Sequence, residues 1–366
     1  MSLPPDAAVA HDAPQPDRPI VVAANRLPVM RSGDGWTASP GGLVRALLPM
    51  LRDTGGTWVG WTGTPDDTSE PFAVEGVDLH PVPISAEEIE LYYEGFSNDA
   101  LWPLYHDALR ESTYSGEQWD AYVTVNRRFA DTIADIAPPD AIVWIHDYQL
   151  MDVAHHVREN GCEANLAFFL HIPFPAPDIF MKLPERNAVL NSLLSYDLVG
   201  FQTQRDRRNF VQCVRTLLKN ARVQAKDHLH VVRLGNREMR VGTFPIGIDS
   251  AAFAASAKAP EVEEQLAKMR TRFVDRQIVL GLDRLDYTKG IPQRLKAFAN
   301  LLERFPEVRR RIHLFQVVVP SRVQASVDEI EFIDESRVKA ITTLRNTRAV
   351  LYLLVRENGN WKIGVW

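Results

Sequence analysis

The stretch "GLDRLDYTKGI" at residues 281–291 places two cationic side chains, Arg284 and Lys289, directly after the apolar run "QIVLGL". The run predicts a buried β-strand, and "PQRLKAFANLLERF" predicts a helix after the loop. Strand–loop–helix units bind ligands at the carboxyl end of the strand. Two cations beside Gly290 and a helix start could therefore hold an anion such as a phosphate. A solvated turn with an Arg–Asp pair is the alternative.

A second group of residues follows predicted strands or opens a predicted helix: Asn25, Arg26, Gly41, Gly42, Asp147 and His171. Paired glycines let backbone N–H groups approach an anion closely. Asp147 could instead cap the following helix, and His171 could be a satisfied core histidine. The positions favour a ligand site at the carboxyl ends of the strands without excluding these alternatives.

The segment at residues 91–107 interleaves aromatic and polar side chains, namely Tyr92, Tyr93, Phe96, Trp102, Tyr105 and His106. A sugar phosphate needs such aromatic faces, together with carboxylates for its hydroxyls and Arg or Lys for its phosphate. An aromatic cluster that covers the core is the alternative. The motifs of zinc hydrolases, serine hydrolases, P-loops and dinucleotide-binding turns do not occur, so we expect neither metal-dependent hydrolysis nor serine hydrolase chemistry. No cofactor is expected.

These residues must be positioned by an α/β fold. Strands are predicted in "PIVVAANRLPV", "AIVWIHDYQL", "LAFFLHIPFP" and "YDLVGFQTQ", and helices in "GGLVRALLPML", "MDVAHHVREN" and "PERNAVLNSLLS". Strands that alternate with helices indicate a mainly parallel sheet. A second βα series is predicted to start near 244–249, with strands at 277–282 and 312–319. A boundary near residue 245 gives two halves, and a cleft between such halves is a common ligand site.

Bulk composition narrows the class of protein. The 366 residues are 45% hydrophobic and carry a net charge of −6, so no general basic field favours nucleic acid. Two cysteines, Cys162 and Cys213, indicate a reducing compartment rather than a disulfide framework. No apolar run is long enough for a bilayer, and the Pro-, Ala- and Asp-rich start lacks a signal peptide's pattern. We expect a cytoplasmic protein with neither nucleic acid nor a membrane as partner.

Eight short motifs, taken together and in order, are specific enough to indicate one protein family. They occur in the order "ANRLPV", "PGGLV", "YYEGFSNDALWPLYH", "WIHDYQL", "FFLHIPFP", "LVGFQT", "FPIGID" and "RLDYTKGI". In this the chain resembles the trehalose-6-phosphate synthases, retaining glycosyltransferases that join a nucleotide-activated glucose to glucose 6-phosphate. The resemblance implies a GT-B fold, with two Rossmann-like domains facing a cleft. We expect a disordered tail over 1–18, an acceptor domain over 19–245, a partial donor domain over 246–322 and a divergent segment over 323–366.

The resemblance also implies roles for individual residues. Those around glucose 6-phosphate are Arg26, Tyr93, Trp102, Asp147 and Arg322. Those that contact the nucleotide-glucose donor, for which UDP-glucose is the first expectation, are Gly41, Gly42, His171, Arg284 and Lys289. The catalytic set is His171, Arg284 and Lys289. Negative charge grows on the departing diphosphate in the transition state, and two preorganised cations stabilise it there. His171 is expected to position the sugar rather than carry a proton.

The chain departs from the family's pattern after residue 322, where the acidic, glycine-containing donor loop has no counterpart. The last residues, "AVLYLLVRENGNWKIGVW", predict a β-hairpin around "ENGN". A second half with about two βα units should have unpaired sheet edges and exposed apolar faces, which favour self-association. Two other functions stay open: an inactive glucose 6-phosphate-binding relative, and a related enzyme that joins cyclitols.

Overall fold

A computed structural model describes residues 18–32, 35–39, 41–108, 112–285, 287–309, 311–320, 350–357 and 360–365. The chain divides into two compact units, the first ending at Ile248 and the second starting at Asp249. The boundary predicted near residue 245 lies three residues earlier. Residues 1–17 of the tail predicted over 1–18, the expected phosphate ligand Arg322 and most of the divergent segment lie outside the described residues.

The first unit contains twelve of the described strands. They are β1 (Ile20–Arg26), β2 (Val29–Ser32), β3 (Gly35–Ala38), β4 (Thr57–Trp61), β5 (Phe72–Val74), β6 (Val77–Pro81), β7 (Ile142–His146), β8 (Asn165–Leu170), β9 (Leu198–Phe201), β10 (Arg222–Lys226), β11 (Leu229–Leu234) and β12 (Arg237–Thr243). Its α-helices are α1 (Gly42–Thr54), α2 (Ala86–Glu88), α3 (Trp102–Tyr105), α4 (Gly116–Ile136), α5 (Val153–Glu159), α6 (Pro177–Phe180), α7 (Arg186–Leu193) and α8 (Gln204–Leu217). A π-helix (Ile89–Leu101) joins α2 to α3, and a 3-10 helix (Tyr148–Leu150) follows β7. Every strand and helix that the sequence predicts between residues 19 and 201 is present.

Ten of these strands form one sheet, in the order β10-β11-β12-β9-β8-β7-β1-β4-β6-β5. Strands β12, β9, β8, β7, β1, β4 and β6 run parallel to their neighbours in that series. Numbered by their sequence order, the parallel strands read 3-2-1-4-5-6-7, the doubly wound Rossmann arrangement. This confirms the predicted α/β class with a mainly parallel sheet. The strand order reverses between β1 and β7, and ligands of such sheets bind outside the carboxyl ends at that point.

The sheet of the first unit is covered on both faces. On one face, Val22 of β1 and Trp58 of β4 are buried against Leu51 of α1. The alternate residues of the same strands, such as Val21 and Val59, are buried as well. Continuous apolar runs such as "IVVAA" suit strands that are buried on both sides. This rigid sheet is what positions the loops at its carboxyl edge.

A polar network ties helices α4, α5 and α7 together inside this core. Asp152, directly before α5, accepts a hydrogen bond from Ser192, and its Oδ2 lies 2.9 Å from Nε2 of His156. The backbone N–H of Asp152 donates to Asn126 Oδ1 at 3.2 Å. The other ring nitrogen of His156, Nδ1, lies 2.9 Å from Glu159 Oε2. The hydrogen bond to Asp152 raises the pKa of His156 above its usual value, although burial opposes the shift.

Gly60 in β4 lies unusually close to the backbone of the chain that leaves β1. A Cβ atom there would come within 2.6 Å of the carbonyl carbon of Arg26 and 2.7 Å of the nitrogen of Leu27. Gly60→Ala is therefore expected to lower the free energy of unfolding by about 1–3 kcal/mol, because backbone rather than a flexible side chain must move. Urea denaturation measures the change. Gly116→Ala is the control, since no atom lies within 4 Å of a Cβ there, and equal losses in both variants would contradict the steric argument.

The second unit contains strands β13 (Gln277–Leu285), β14 (Ile312–Pro320), β15 (Val350–Glu357) and β16 (Asn360–Val365). Its helices are α9 (Ser250–Ser256), α10 (Pro260–Arg272) and α11 (Ile291–Arg304), with 3-10 helices at Tyr287–Lys289 and Pro306–Val308. Strands β13 and β14 pair in parallel, and β14, β15 and β16 pair antiparallel in that order. The predicted terminal hairpin is thus confirmed, with Glu357 opposite Asn360. None of the helices in the described ranges has the length and apolarity needed to span a lipid bilayer.

Two predictions for the second half are corrected and one is confirmed. The second βα series, predicted to start near 244–249, does not start with a strand there, since the second unit begins with helices α9 and α10 before its first strand, β13. Strand β13 runs to Leu285 rather than ending at residue 282, since its pairing with β14 continues that far. Exposed apolar side chains are present on β13 as expected: Ile278 (42%), Val279 (44%), Leu280 (67%) and Leu282 (67%). Among the described strands, β13 pairs with β14 alone and forms an edge of its sheet.

Candidate active site

Three predicted site residues meet at the carboxyl edge of the first sheet, around the point where the strand order reverses. Arg26 ends β1, Asp147 follows β7 and His171 follows β8. Strands β8, β7 and β1 are neighbours and run parallel, so the three positions lie side by side. The separate sequence motifs are thereby brought to one edge, where ligands of doubly wound sheets bind.

The guanidinium of Arg26 lies over the ring of Trp61, with Cζ 4.4 Å from the ring centroid. The indole N–H of Trp61 donates to the carbonyl of Thr64 at 2.8 Å, which fixes the ring. Tyr93 contacts the same indole edge-on, with centroids 6.2 Å apart. The cation is thus held in place before any ligand arrives. Trp61 is not among the residues predicted from the sequence, although its place at the end of β4, beside β1, is the signal that could have found it.

The aromatic segment forms a π-helix across this edge, which the sequence did not predict. Tyr93 and Trp102 are nine residues apart, which is about two and a half turns of an α-helix but about two turns of the wider π-helix at roughly 4.4 residues per turn. The π-helix therefore brings them to one side of the segment. Tyr93 contacts Trp61 beyond β4, and Trp102 contacts Tyr148 beyond β7, with centroids 5.6 Å apart.

Other aromatic residues of the segment belong to the core, as the alternative interpretation held. Phe96 and Tyr105 are fully buried. The hydroxyl of Tyr92, also fully buried, donates to Asn25 Oδ1 at 2.8 Å and so ties the π-helix to the end of β1. The segment is therefore both a covering of the core and a support for two candidate sugar-binding residues, Tyr93 and Trp102.

Asp147 occupies a strained backbone conformation. Its φ of 74° and ψ of 168° fall in a region used mainly by glycine, at a cost of about 1–3 kcal/mol. Its Oδ1 accepts from the backbone N–H of Tyr148 at 3.1 Å and from that of His171 at 3.2 Å. Its own N–H donates to the carbonyl of Phe169 at 2.9 Å. The helix-cap alternative is thus correct for Oδ1, and the same bonds fix the carboxylate between β7 and β8.

His171 is paired with a second histidine, His146, which ends β7 and which the sequence analysis did not single out. Nδ1 of His146 lies 3.0 Å from Nε2 of His171. Burial lowers the pKa of His171 to about 4. Burial, and secondarily the neighbouring His171, lower the pKa of His146 well below its usual value. Both rings are therefore neutral at pH 7.

The loop that carries His171 is anchored to α8. The backbone N–H of Phe174 donates to Asp206 Oδ1 at 3.1 Å, and its carbonyl accepts from Asn209 Nδ2 at 2.8 Å. Phe174 itself is buried among other aromatic rings, Phe180 and Phe201 among them. These contacts therefore fix the position of the loop, and of His171 within it, at the carboxyl edge of the sheet.

Gly41 and Gly42 lie at the amino end of α1. Gly41 is the residue before the helix, and its φ of 174° is extended backbone that any residue adopts. The nearest atom to a Cβ on Gly41 would be 3.9 Å away, and none lies within 4 Å of one on Gly42. Packing among the described residues therefore does not demand glycine at either position. The close approach of an anion to this pair stays a prediction.

The second unit places Arg284 on strand β13 and Lys289 in the short 3-10 helix before α11. Arg284 thus lies near the strand's carboxyl end rather than on the loop, and both residues are exposed. The Arg–Asp pair of this turn joins Asp283 to Arg294, 2.5 Å apart, and Arg294 also donates to Gln316 at 2.6 Å. The Arg294 guanidinium holds the pKa of Asp283 below its usual value.

Residues 18–343 match glycosyltransferase family 20. The trehalose-6-phosphate synthase of Mycolicibacterium smegmatis is 45% identical over 312 residues, which cover 82% of this chain and 62% of that protein. The trehalose-6-phosphate synthase of Mycobacterium bovis is 42% identical over 348 residues, which cover 90% of this chain and 67% of that protein. The chain therefore spans about two thirds of the length of these curated relatives.

Solved structures show the same fold. The E. coli trehalose-6-phosphate structure bound with UDP-2-fluoro glucose matches with a TM-score of 0.74 and 34% identity, covering 84% of this chain and 66% of that one. An α,α-trehalose-phosphate synthase (UDP-forming) from Burkholderia xenovorans, in complex with glucose-6-phosphate, matches with a TM-score of 0.76 and 30% identity. That match covers 84% of this chain and 67% of the other.

Proposed function

The chain belongs to glycosyltransferase family 20, and from this premise we propose that it transfers glucose from UDP-glucose to glucose 6-phosphate with retention, giving trehalose 6-phosphate. The observation that carries the proposal is the convergence of Arg26, Tyr93 and Asp147 on one sheet edge, with Arg26 held by Trp61. This edge combines a fixed cation, a fixed carboxylate and aromatic faces. Those are the groups that a hexose phosphate requires.

Each side chain has a distinct task in this proposal. The Arg26 guanidinium binds the acceptor's phosphate, and the Asp147 carboxylate accepts from sugar hydroxyls. Tyr93 and Trp102 cover the C–H surface of the sugar, and Arg322 is proposed as a further phosphate ligand. The complex with glucose-6-phosphate of the Burkholderia xenovorans relative supports an acceptor of this kind.

The donor half of the proposal rests on charge. Arg284 and Lys289 hold the diphosphate, the N–H groups at Gly41 and Gly42 approach its oxygens, and His171 orients the transferred glucose. Negative charge on the diphosphate grows as the glycosidic C–O bond breaks, so fixed cations stabilise the transition state more than the bound donor. The E. coli relative's complex with UDP-2-fluoro glucose supports a UDP-linked sugar.

The proposal extends to the setting of the reaction. We place the enzyme in the cytoplasm, with no nucleic acid, membrane, metal or cofactor involved. Self-association is expected from the exposed apolar side chains of β13, since such an edge readily pairs with another chain.

A coupled assay that follows nucleoside diphosphate release tests the proposal. UDP-, ADP- and GDP-glucose are offered in turn, with and without glucose 6-phosphate. We expect release with UDP-glucose that depends on the acceptor. If glucose 6-phosphate raises the melting temperature but no donor is turned over, the chain is a binding relative rather than a transferase. If neither turnover nor binding occurs, the site assignment is wrong.

Arg26→Ala is expected to weaken glucose 6-phosphate binding by about 10- to 100-fold, since a hydrogen bond to a charged group contributes about 1.5–3 kcal/mol. Isothermal titration calorimetry gives the affinity. Arg31→Ala is the matched control, because Arg31 also lies over an indole ring, that of Trp36 at 4.9 Å, but pairs with Asp67. Equal weakening in both variants would show that Arg26 acts through the fold rather than on the phosphate.

A further inference from the structure

The surroundings of His146 and His171 determine which ring donates the hydrogen bond between them. Both rings are neutral, so the 3.0 Å contact between Nδ1 of His146 and Nε2 of His171 contains a single proton. Either His146 donates and His171 accepts, or the reverse. Because each neutral ring carries one proton, each choice also fixes whether Nε2 of His146 or Nδ1 of His171 carries the other proton.

The surroundings of His146 decide between the two directions. Its side chain is buried, with a relative exposure of 1%, and its Nε2 has no hydrogen-bond partner among the described residues. The rings of Trp144 and Phe169 lie 4.6 Å and 6.4 Å from the imidazole. If His146 accepted at Nδ1, its Nε2 would carry an unsatisfied buried N–H, which proteins rarely tolerate. If it donates at Nδ1, Nε2 is a bare nitrogen among aromatic rings, which is less costly.

We propose that His146 donates its Nδ1–H to Nε2 of His171 and so fixes His171 as the tautomer that is protonated at Nδ1. His146 is a positioning residue in this assignment, since it acts through His171. The catalytic part of the inference rests on the proposed function, whereas the tautomer does not.

The assignment determines what His171 can do for a substrate. With Nε2 occupied by the bond from His146, the ring has one remaining polar atom, the Nδ1–H, and that atom donates. His171 therefore orients an oxygen of the ligand by donating to it, and has no lone pair left with which to remove a proton. The backbone on the same residue is fixed as well, because its N–H donates to Asp147 Oδ1.

Long-range 1H–15N NMR of the histidine side chains measures the tautomer directly, without any substrate. The resonances of His171 and His146 are assigned by their loss in His171→Asn and in His146→Phe. We expect a protonated Nδ1 and a bare Nε2 on His171, and the same protonation state on His146. A protonated Nε2 on His171 overturns the proposal, as does a tautomer of His171 that is unchanged in His146→Phe.

Kinetics test the positioning role on the full chain. His146→Phe fills the buried space but removes the donor, and we expect kcat to fall about 10- to 100-fold with an unchanged Kd for glucose 6-phosphate, as for other groups that orient a site residue. His146→Asn keeps an N–H near the position of Nδ1 and should recover most of kcat. His155→Asn, at a histidine that is half exposed on α5, is the control and should match the wild type.

The outcomes separate the inference from the proposed function. A wild type without transfer activity refutes the function, while the NMR result still decides the tautomer. Full activity in His146→Phe, or an equal fall in His146→Phe and His146→Asn at unchanged melting temperature, overturns the positioning role. If His146→Phe does not fold, the wild-type spectrum decides, with His146→Asn as the kinetic comparison.

Discussion

Arg284→Ala is expected to raise the barrier to sugar transfer by about 2–4 kcal/mol, as the loss of a donor to a developing oxyanion does. Binding of glucose 6-phosphate should stay at the wild-type level, because the proposed acceptor residues of the described chain all lie in the first unit. The rise in the barrier has an electrostatic cause, because the diphosphate gains further negative charge only as the C–O bond breaks. Rates from diphosphate release and affinities from calorimetry are the two measurements.

The charge balance around Arg284 supports this expectation. Asp283, its neighbour in β13, is already paired with Arg294, and the same guanidinium contacts the carbonyl of Lys289. The Asp283 carboxylate is therefore offset by Arg294. Lys268→Ala removes an exposed cation on α10 and is the control. Loss of both transfer and acceptor binding in Arg284→Ala would indicate a folding defect, and unchanged transfer would refute its donor role.

Asp152→Ala is expected to lower the free energy of unfolding by about 3–5 kcal/mol, because it leaves the buried His156 without its buried partner. The Ser192 hydroxyl loses an acceptor at the same time. Urea denaturation measures the change. Glu159→Ala removes the other carboxylate on the same histidine, but its side chain is 53% exposed, so the expected loss is under about 1 kcal/mol. Comparable losses in the two variants would contradict the role of burial.

The same network predicts a pH dependence. The pKa of His156 is raised in the folded protein, so its contribution to stability is full below its unfolded value near 6.5. That contribution is lost as the pH rises through the higher folded value. The stability difference between the wild type and Asp152→Ala should therefore shrink from pH 6 to pH 9. A difference that stays constant over this range would show that His156 is not protonated in the fold.

The strands and helices of the first unit were predictable because each is indicated by a hydrophobic pattern within its own short segment of sequence. The apolar run "IVVAA" is typical of a strand that is buried in a sheet. The spacing of apolar residues in "GGLVRALLPML" is typical of a helix with one buried face. The positions of Arg26, Asp147 and His171 at one edge followed from strand ends alone. The roles proposed for them come from the resemblance of the motifs to those of the family.

Other features of the structure depend on contacts between segments that are distant in sequence, and no pattern within one segment predicts such contacts. The length of β13 is set by its pairing with β14, which is why Arg284 lies on a strand and not on a loop. The partners Trp61 and His146 were missed because each becomes important only through a residue brought to it by sheet order. The π-helix was missed because its aromatic spacing fits neither the α-helical period nor strand alternation.

The π-helix makes the proposed acceptor site depend on a count of residues as well as on their identities. If one residue between Tyr93 and Trp102 were deleted, the segment could rewind as an α-helix, in which each residue turns the chain by about 100°. Trp102 would then leave the side that it shares with Tyr93, although every remaining side chain was unaltered. Evolution can therefore exchange single residues in this segment gradually, whereas a change in its length would alter the proposed sugar-binding face in one step.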